Sequence, residues 1–179
     1  VASGCDDILI ITGRNKRAIE DHFDVSAELN MHLANSGNTE LLEASERLSD
    51  LADIHYIRQK EQRGLGDAVL CAKQHVGDEP FAVLLGDTIC LPDKGEKPCT
   101  AQLAEMLIKY QQPIIGVEVV PEHKIKDYGI IDGTLIEDRV YQIQNIIEKP
   151  SPEEAPSNIG AMGRYVLTSE IFEILEHTA

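Results

Sequence analysis

The chain of 179 residues alternates two rhythms of apolar and polar positions. "DDILIITG" (6–13) is a short apolar run ended by Gly13, the pattern of a buried strand. "NKRAIEDHF" and "VSAELNMHLANSG" follow with helical spacing; Val25, Leu29 and Leu33 recur every four residues and Gly37 is a natural stop. "TELLEASERLSDLA" then places Leu41, Ala44, Leu48 and Ala52 on one helical face. "DIHYIRQ" alternates as a strand, with Ile54, Tyr56 and Arg58 facing away from His55 and Ile57.

The alternation repeats. A helix is predicted from Leu65, with Ala68, Val69, Ala72 and Val76 on one side. "PFAVLLGD" (80–87) reads as a continuous buried strand, "TAQLAEMLIKY" as a helix and "PIIGVEVV" as another strand. Strands apolar on both faces, separated by helices, predict an α/β fold: a Rossmann-like, mostly parallel sheet with helices on both faces. After Pro121 the grammar changes. "YGIIDGTLIEDRVYQIQNIIEKP" sets Asp132-Gly133 between β-rich runs, which predicts a β-hairpin insertion turning at that pair. "SPEE" (151–154) has the form of a capping box with Pro at the first helical position, so a short helix is predicted there. "IGAMGRYVL" is a last strand and "SEIFEILEH" a last helix. No repeat, low-complexity segment or linker interrupts residues 1–179, which predicts a single domain.

Composition narrows the partners. With 31 acidic and 16 basic side chains the formal net charge is −15, which argues against nucleic acid, whose phosphates require clustered Lys and Arg. No run approaches the roughly 20 apolar residues that cross a bilayer, and no signal peptide is evident at Val1. Cys5, Cys71, Cys90 and Cys99 form no Cys-x-x-Cys pair, and read as buried or half-buried thiols in a reducing cytoplasm. The six histidines are scattered, and none stands at zinc-finger spacing from a cysteine.

Four features carry candidate chemistry. Asp87 ends the apolar run "FAVLLGD", and ligands of open α/β sheets bind beyond the carboxyl ends of strands. A carboxylate there suits Mg²⁺, a hard cation that takes oxygen donors and bridges to phosphates; it equally suits a turn cap. "GLG" (64–66) lacks the third glycine of a dinucleotide fingerprint, since Val69 stands in its place, and it lacks the Lys-Ser/Thr of a Walker loop. Its glycines either admit a ligand to the backbone or let a helix pack closely. "EKP" (148–150) sets an acid beside a base at a strand end, suited to sugar hydroxyls and a phosphate or to an ordinary surface pair. "DYGIID" (127–132) offers Gly129 as a ligand contact or a plain turn glycine.

The order of these pieces is more specific than any one of them. "RQKEQRGLGDAVLCAK", "PFAVLLGDTI", "DYGIID" and "IIEKPSPEEAPSNIGAMGRYVL", with "GRNKRAIEDHFD" near the start, strongly resemble the UTP–glucose-1-phosphate uridylyltransferases of the sugar nucleotidyltransferase family, over essentially the whole chain. The resemblance implies that Gln59, Gly64 and neighbouring Gly66 bind the nucleotide, reading uracil and approaching the ribose. It implies that Asp87 holds Mg²⁺, that Gly129 and Glu148 bind the sugar, and that Lys149 meets the phosphate of glucose 1-phosphate. Asp87 and Lys149 then carry catalysis by positioning and charge offset, with no side-chain nucleophile. UTP and glucose 1-phosphate are the implied partners, and a homo-oligomer the implied assembly.

The likeness has gaps. Family members commonly carry His after GLG, where this chain has Asp67, and often another residue where Thr88 stands. The family's opening strand and G-x-G-T-R loop are absent, as is its C-terminal part, so the chain reads as a domain truncated at both ends that turns over nothing by itself. Two alternatives stay open: another sugar-1-phosphate nucleotidyltransferase, such as a thymidylyltransferase, or a non-catalytic relative that binds nucleotide sugars.

Overall fold

A computed structural model describes residues 1–178; Ala179, where the last predicted helix runs out, lies outside the described residues. The chain divides into two compact units, residues 1–79 with 169–179, and residues 80–168.

In unit 1, β1 (Asp7–Thr12) and β2 (Asp53–Arg58) pair in parallel, Asp7 opposite Asp53 and Thr12 opposite Arg58. Three helices connect them: α1 (Arg17–Phe23), α2 (Ala27–Asn35) and α3 (Thr39–Ser49). Ser26 caps α2 by accepting from the Leu29 amide at 3.4 Å, and Asn38 caps α3 by accepting from Leu41 at the same distance. Gly37, at φ 72°, closes α2 as predicted. Buried Thr12 donates to Glu20 at 3.0 Å, which ties the end of β1 to α1. The helix predicted from Leu65 is broken into α4 (Leu65–Leu70) and α5 (Lys73–Val76). The tighter Ala72 amide to Val69 carbonyl bond (2.9 Å) marks the break. The last helix of the chain (Glu170–Thr178) also belongs to this unit; its Phe172 is almost fully buried, and its Glu176 meets Lys73 at 2.6 Å.

Unit 2 is a five-stranded sheet: β3 (Phe81–Leu84), β4 (Ile114–Val119), β5 (Gly129–Glu137), β6 (Val140–Glu148) and β7 (Ile159–Leu167). The helix between β3 and β4, α6 (Cys99–Tyr110), buries Leu107; the chain's last helix is therefore α7. The expected α/β class stands, and strand direction and ladder pairing can be separated within it. β3, β4 and β5 run the same way, because each is antiparallel to β7. None of these three has another of them as its hydrogen-bonded neighbour in the ladder: β7 pairs with β3, β4 and β5, and β6 pairs only with β5. The only parallel ladder among the described residues is β1–β2. β7 carries glycine where its neighbours pack most closely. A Cβ on Gly160 would stand 2.5 Å from Val120 Cγ2, and one on Gly163 would stand 3.0 Å from Leu85 Cδ1. Val120, Ile125, Ile130, Ile131 and Val166 form the buried centre.

Three local expectations need correction. The hairpin exists, but it turns at Asp138-Arg139, with Arg139 at φ 59°, and Asp132-Gly133 is a bulge within β5. Glycine is needed there because a Cβ would lie 2.9 Å from the Gln142 carbonyl oxygen. The helix predicted at 151–154 is a single turn. Half of its box forms: the Ser151 amide donates to Glu154 Oε2 at 3.4 Å, while the Ser151 hydroxyl donates to the same oxygen at 2.8 Å, and Pro156 disfavours helical backbone at Ala155 so the turn does not propagate. The 80–87 run is not buried throughout: β3 ends at Leu84, which is itself exposed. A short 3-10 helix at Glu122–Asp127 had no clear periodic signal in so brief a segment.

Candidate active site

In unit 1 the nucleotide candidates follow β2. The Gln59 amide nitrogen of the backbone donates to Thr12 O at 2.9 Å, so the chain leaves β2 still held to the end of β1. Its side-chain Nε2 donates to Asp67 Oδ2 at 2.5 Å. Asp67, the departure from the family pattern, thereby engages the donor end of the Gln59 amide and leaves the carbonyl end to accept. The two glycines differ. Gly64, at φ 109° and ψ −177°, occupies a region essentially reserved for glycine, and no atom stands within 4 Å of where its Cβ would be. Gly66 lies inside α4, where a Cβ would stand 3.0 Å from Leu175 Cδ2 of α7; close helix packing explains this glycine.

In unit 2, Gly129 is paired with Glu148 across the β5–β6 ladder. A Cβ at Gly129 would stand 3.1 Å from Glu148 Oε2, so the missing side chain gives the carboxylate room to lie over the strand. β6 stops at Glu148. Lys149 takes the left-handed conformation, φ 49°, while its amide donates to Tyr128 O at 2.9 Å. Successive strand residues would point to opposite faces; the turn cancels that alternation and brings Lys149 Nζ to 3.9 Å from Glu148 Oε1. Both side chains remain largely exposed. A non-glycine residue in this backbone region costs about 1–2 kcal/mol, a strain that here sets an acid and a base side by side.

Asp87 lies in the exposed loop after β3, where Thr88 Oγ1 approaches its Oδ1 at 3.4 Å. The loop is held from beneath by buried Arg164 of β7. Arg164 Nη1 donates to Leu85 O at 2.8 Å and Gly163 O at 2.9 Å, and Nη2 donates to Thr88 O. Two of the three acceptors bracket Gly86 and Asp87, so a buried guanidinium fixes the backbone that presents the carboxylate. Next to Arg164, half-buried Tyr165 links this loop to the hairpin. Burial, then the carboxylate charge of Glu148, then that of Asp87, hold its phenol above the ordinary value. Within unit 2, Asp87 and Glu148 therefore act on one side chain, and that phenol stays neutral at pH 7. Arg164 and Tyr165 were missed as site residues: "GRYVL" reads as strand, and nothing in the string marks its Arg as a backbone clamp.

Unit 2 offers an exposed carboxylate in the loop after β3 and an acid–base doublet at the end of β6; unit 1, taken by itself, offers a glutamine amide with a free acceptor. These are groups for an anionic, hydroxyl-bearing ligand with a hydrogen-bonding base, and among them no nucleophile–base couple is assembled. They define a class: a profile of nucleotidyl transferases matches residues 1–179, and the chain belongs to that family. Within it, the chain is similar to two UTP–glucose-1-phosphate uridylyltransferases of Bacillus subtilis. One, YngB, is 54% identical over 174 residues, 97% of this chain and 58% of that protein. The other is 54% identical over 176 residues, 98% of this chain and 59% of that protein. Among solved structures, a UDP-glucose pyrophosphorylase complexed with UDP-glucose is 38% identical with a TM-score of 0.86, covering 98% of this chain and 63% of that one. A UTP-bound relative from Acinetobacter baumannii is 34% identical with a TM-score of 0.90, covering 99% and 63%. The chain thus spans about three-fifths of the length of the proteins it matches.

Proposed function

We propose that the protein transfers a uridylyl group from UTP to glucose 1-phosphate, giving UDP-glucose and pyrophosphate. A phosphate oxygen of glucose 1-phosphate bonds to the α-phosphorus of UTP as the bond from that phosphorus to the bridging oxygen of pyrophosphate breaks. The observation that carries the reading is the strained end of β6, which sets Glu148 against Gly129 and turns Lys149 back to within 3.9 Å of it. In this reading the Glu148 carboxylate accepts from sugar hydroxyls beside Gly129, and Lys149 places its charge on the sugar phosphate. Gln59 presents its carbonyl to the uracil N–H, oriented by Asp67. Gly64, with open space where its Cβ would be, allows the nucleotide to approach the backbone, while Gly66 lets α4 pack against Leu175 of α7.

Asp87 fits a magnesium ion: its carboxylate is exposed, carries no cationic partner among the contacts found, and a Mg²⁺ ion asks for one or two carboxylates with phosphate and water completing its shell. When bound, the ion would offset phosphate charge. Both units would serve a single nucleotidyltransferase domain, working as a homo-oligomer in a reducing cytoplasm. The four cysteines, all unbridged, support that compartment, and no helix among the described residues is long and apolar enough to cross a membrane.

The test is steady-state kinetics of the full-length protein with glucose 1-phosphate and either UTP or dTTP. UDP-glucose formation, with UTP preferred, is expected. Preference for dTTP would reassign the base, and binding of UDP-glucose with no turnover of either would make the protein a non-catalytic relative.

A further inference from the structure

Unit 1 holds a cluster that the transfer reaction does not use. Asp7 opens β1, His55 lies in β2 and His75 in α5. His75 Nε2 is 2.9 Å from Asp7 Oδ1, and His55 Nε2 is 3.7 Å from the same oxygen. The two imidazoles are tilted against each other at 58° with centroids 4.9 Å apart, and one donor atom from each of the three residues falls within 4.8 Å of the others. Three separate elements converge on this point, although the residues are 20 to 68 positions apart in sequence.

We propose that Asp7, His55 and His75 form a surface site for a divalent late first-row transition cation of the zinc type. A tetrahedral ion with bonds of about 2.0–2.1 Å sets its donors roughly 3.4 Å apart. The two carboxylate–imidazole separations bracket that spacing. Two imidazoles and one carboxylate select zinc, nickel, cobalt or copper over magnesium and calcium, which prefer oxygen. The site is therefore chemically distinct from the carboxylate at Asp87. All three residues are exposed, so an ion can enter and water can complete its shell. Asp53 pairs with Asp7 in register and shares the strand face of His55, two residues on, which adds negative charge to the same face. The whole chain, at −15, favours cations as well. Bound there, the ion would staple α5 to both parallel strands.

The test uses untagged full-length protein stripped with chelator, incubated with Zn²⁺ alone and desalted, with metal content read by mass spectrometry. Cobalt substitution supplies the ligand signature. One equivalent of Zn²⁺ is expected, with a raised Tm and a cobalt spectrum free of thiolate charge transfer, which separates this site from the four free cysteines. His75→Gln and Asp7→Asn should each weaken binding at least about tenfold, since even losing a group that only supports a ligand costs that much. Circular dichroism of each variant checks that it folds, and Asp87→Asn should bind Zn²⁺ as the parent does. Failure to retain zinc, a thiolate band, or unchanged affinity in both variants would overturn the proposal.

Discussion

The segment 59–67 of unit 1 and the hairpin end 128–149 of unit 2 both combine glycine with polar residues, and they use glycine in different ways. In the first, Gly64 answers a backbone demand and Gly66 a packing demand from Leu175. In the second, Gly129 answers side chains of the partner strand, since a Cβ there would meet the Glu148 carboxylate at 3.1 Å and Ile146 Cγ2 at 3.3 Å. Two charged residues of that second region take a left-handed backbone: Arg139 in the hairpin turn and Lys149 at the end of β6, where glycine would fit with less strain. Both side chains of the doublet are exposed, so the pair adds little to stability. Positive φ alone does not mark function: Arg139 takes it in a plain hairpin turn, whereas Lys149 takes it beside the Glu148 carboxylate.

The sharpest way to break this comparison is to remove charge from unit 2. Asp87→Asn and Lys149→Ala should each lower kcat by about 10²–10³-fold, the range found when one preorganised charge-stabilising group is removed, with Tm almost unmoved because both groups are exposed. A parent-like kcat in both variants would return these residues to ordinary surface chemistry.

Arg164 is expected to matter to fold and site together. Arg164→Met leaves the Leu85 and Thr88 carbonyls without their buried donor and should cost about 2–4 kcal/mol of stability, because bonds to charged groups are worth more than neutral ones. Urea denaturation measures the cost, and Arg164→Lys should restore part of it.

The glycines come next. Gly64→Ala should destabilise by about 1–3 kcal/mol through backbone strain alone, although there is room for its methyl group. Gly129→Ala should leave stability within about 1 kcal/mol and raise KM for glucose 1-phosphate some three- to tenfold, by pressing on Glu148. Thermal melts set beside KM values decide whether the two positions separate in this way.

The smallest effect concerns Tyr165. Its phenol is held above the ordinary value by burial and then by Glu148 and Asp87. The native state thus retains that proton at pH values where the unfolded chain has lost it. The stability linked to it is fully present below the unfolded tyrosine pKa, about 10, and is lost as pH rises through the higher native value. Tyr165→Phe should flatten this alkaline decline in denaturation curves between pH 9 and about 11; an unchanged slope would mean that neither burial nor the two carboxylates holds this phenol up.

Most elements were legible along the string. Apolar runs and four-residue spacing gave β1, α2, α3, β2, α6 and β4 close to their bounds, because each signal is local. The hairpin turn was misplaced because Asp-Gly favours a tight turn as readily as a bulge, and the choice lay with the Gln142 carbonyl on the partner strand. The 151–154 helix was overread because capping starts a turn but does not extend it past Pro156.

Of the candidate site, the sequence by itself determined the chemical types and their order: Gln59, the glycine pair, Asp87, Gly129 and the Glu148-Lys149 doublet. It determined equally that the chain is acidic and alternates strand with helix. Only the tertiary structure decided that β7 lies antiparallel between β3 and β4, that Arg164 grips the Asp87 loop, that Tyr165 senses both carboxylates, and that Asp7, His55 and His75 meet. Periodicity and capping act within a few residues, whereas a buried guanidinium or a converging triad is set by packing between segments distant in the chain, which leaves no local mark.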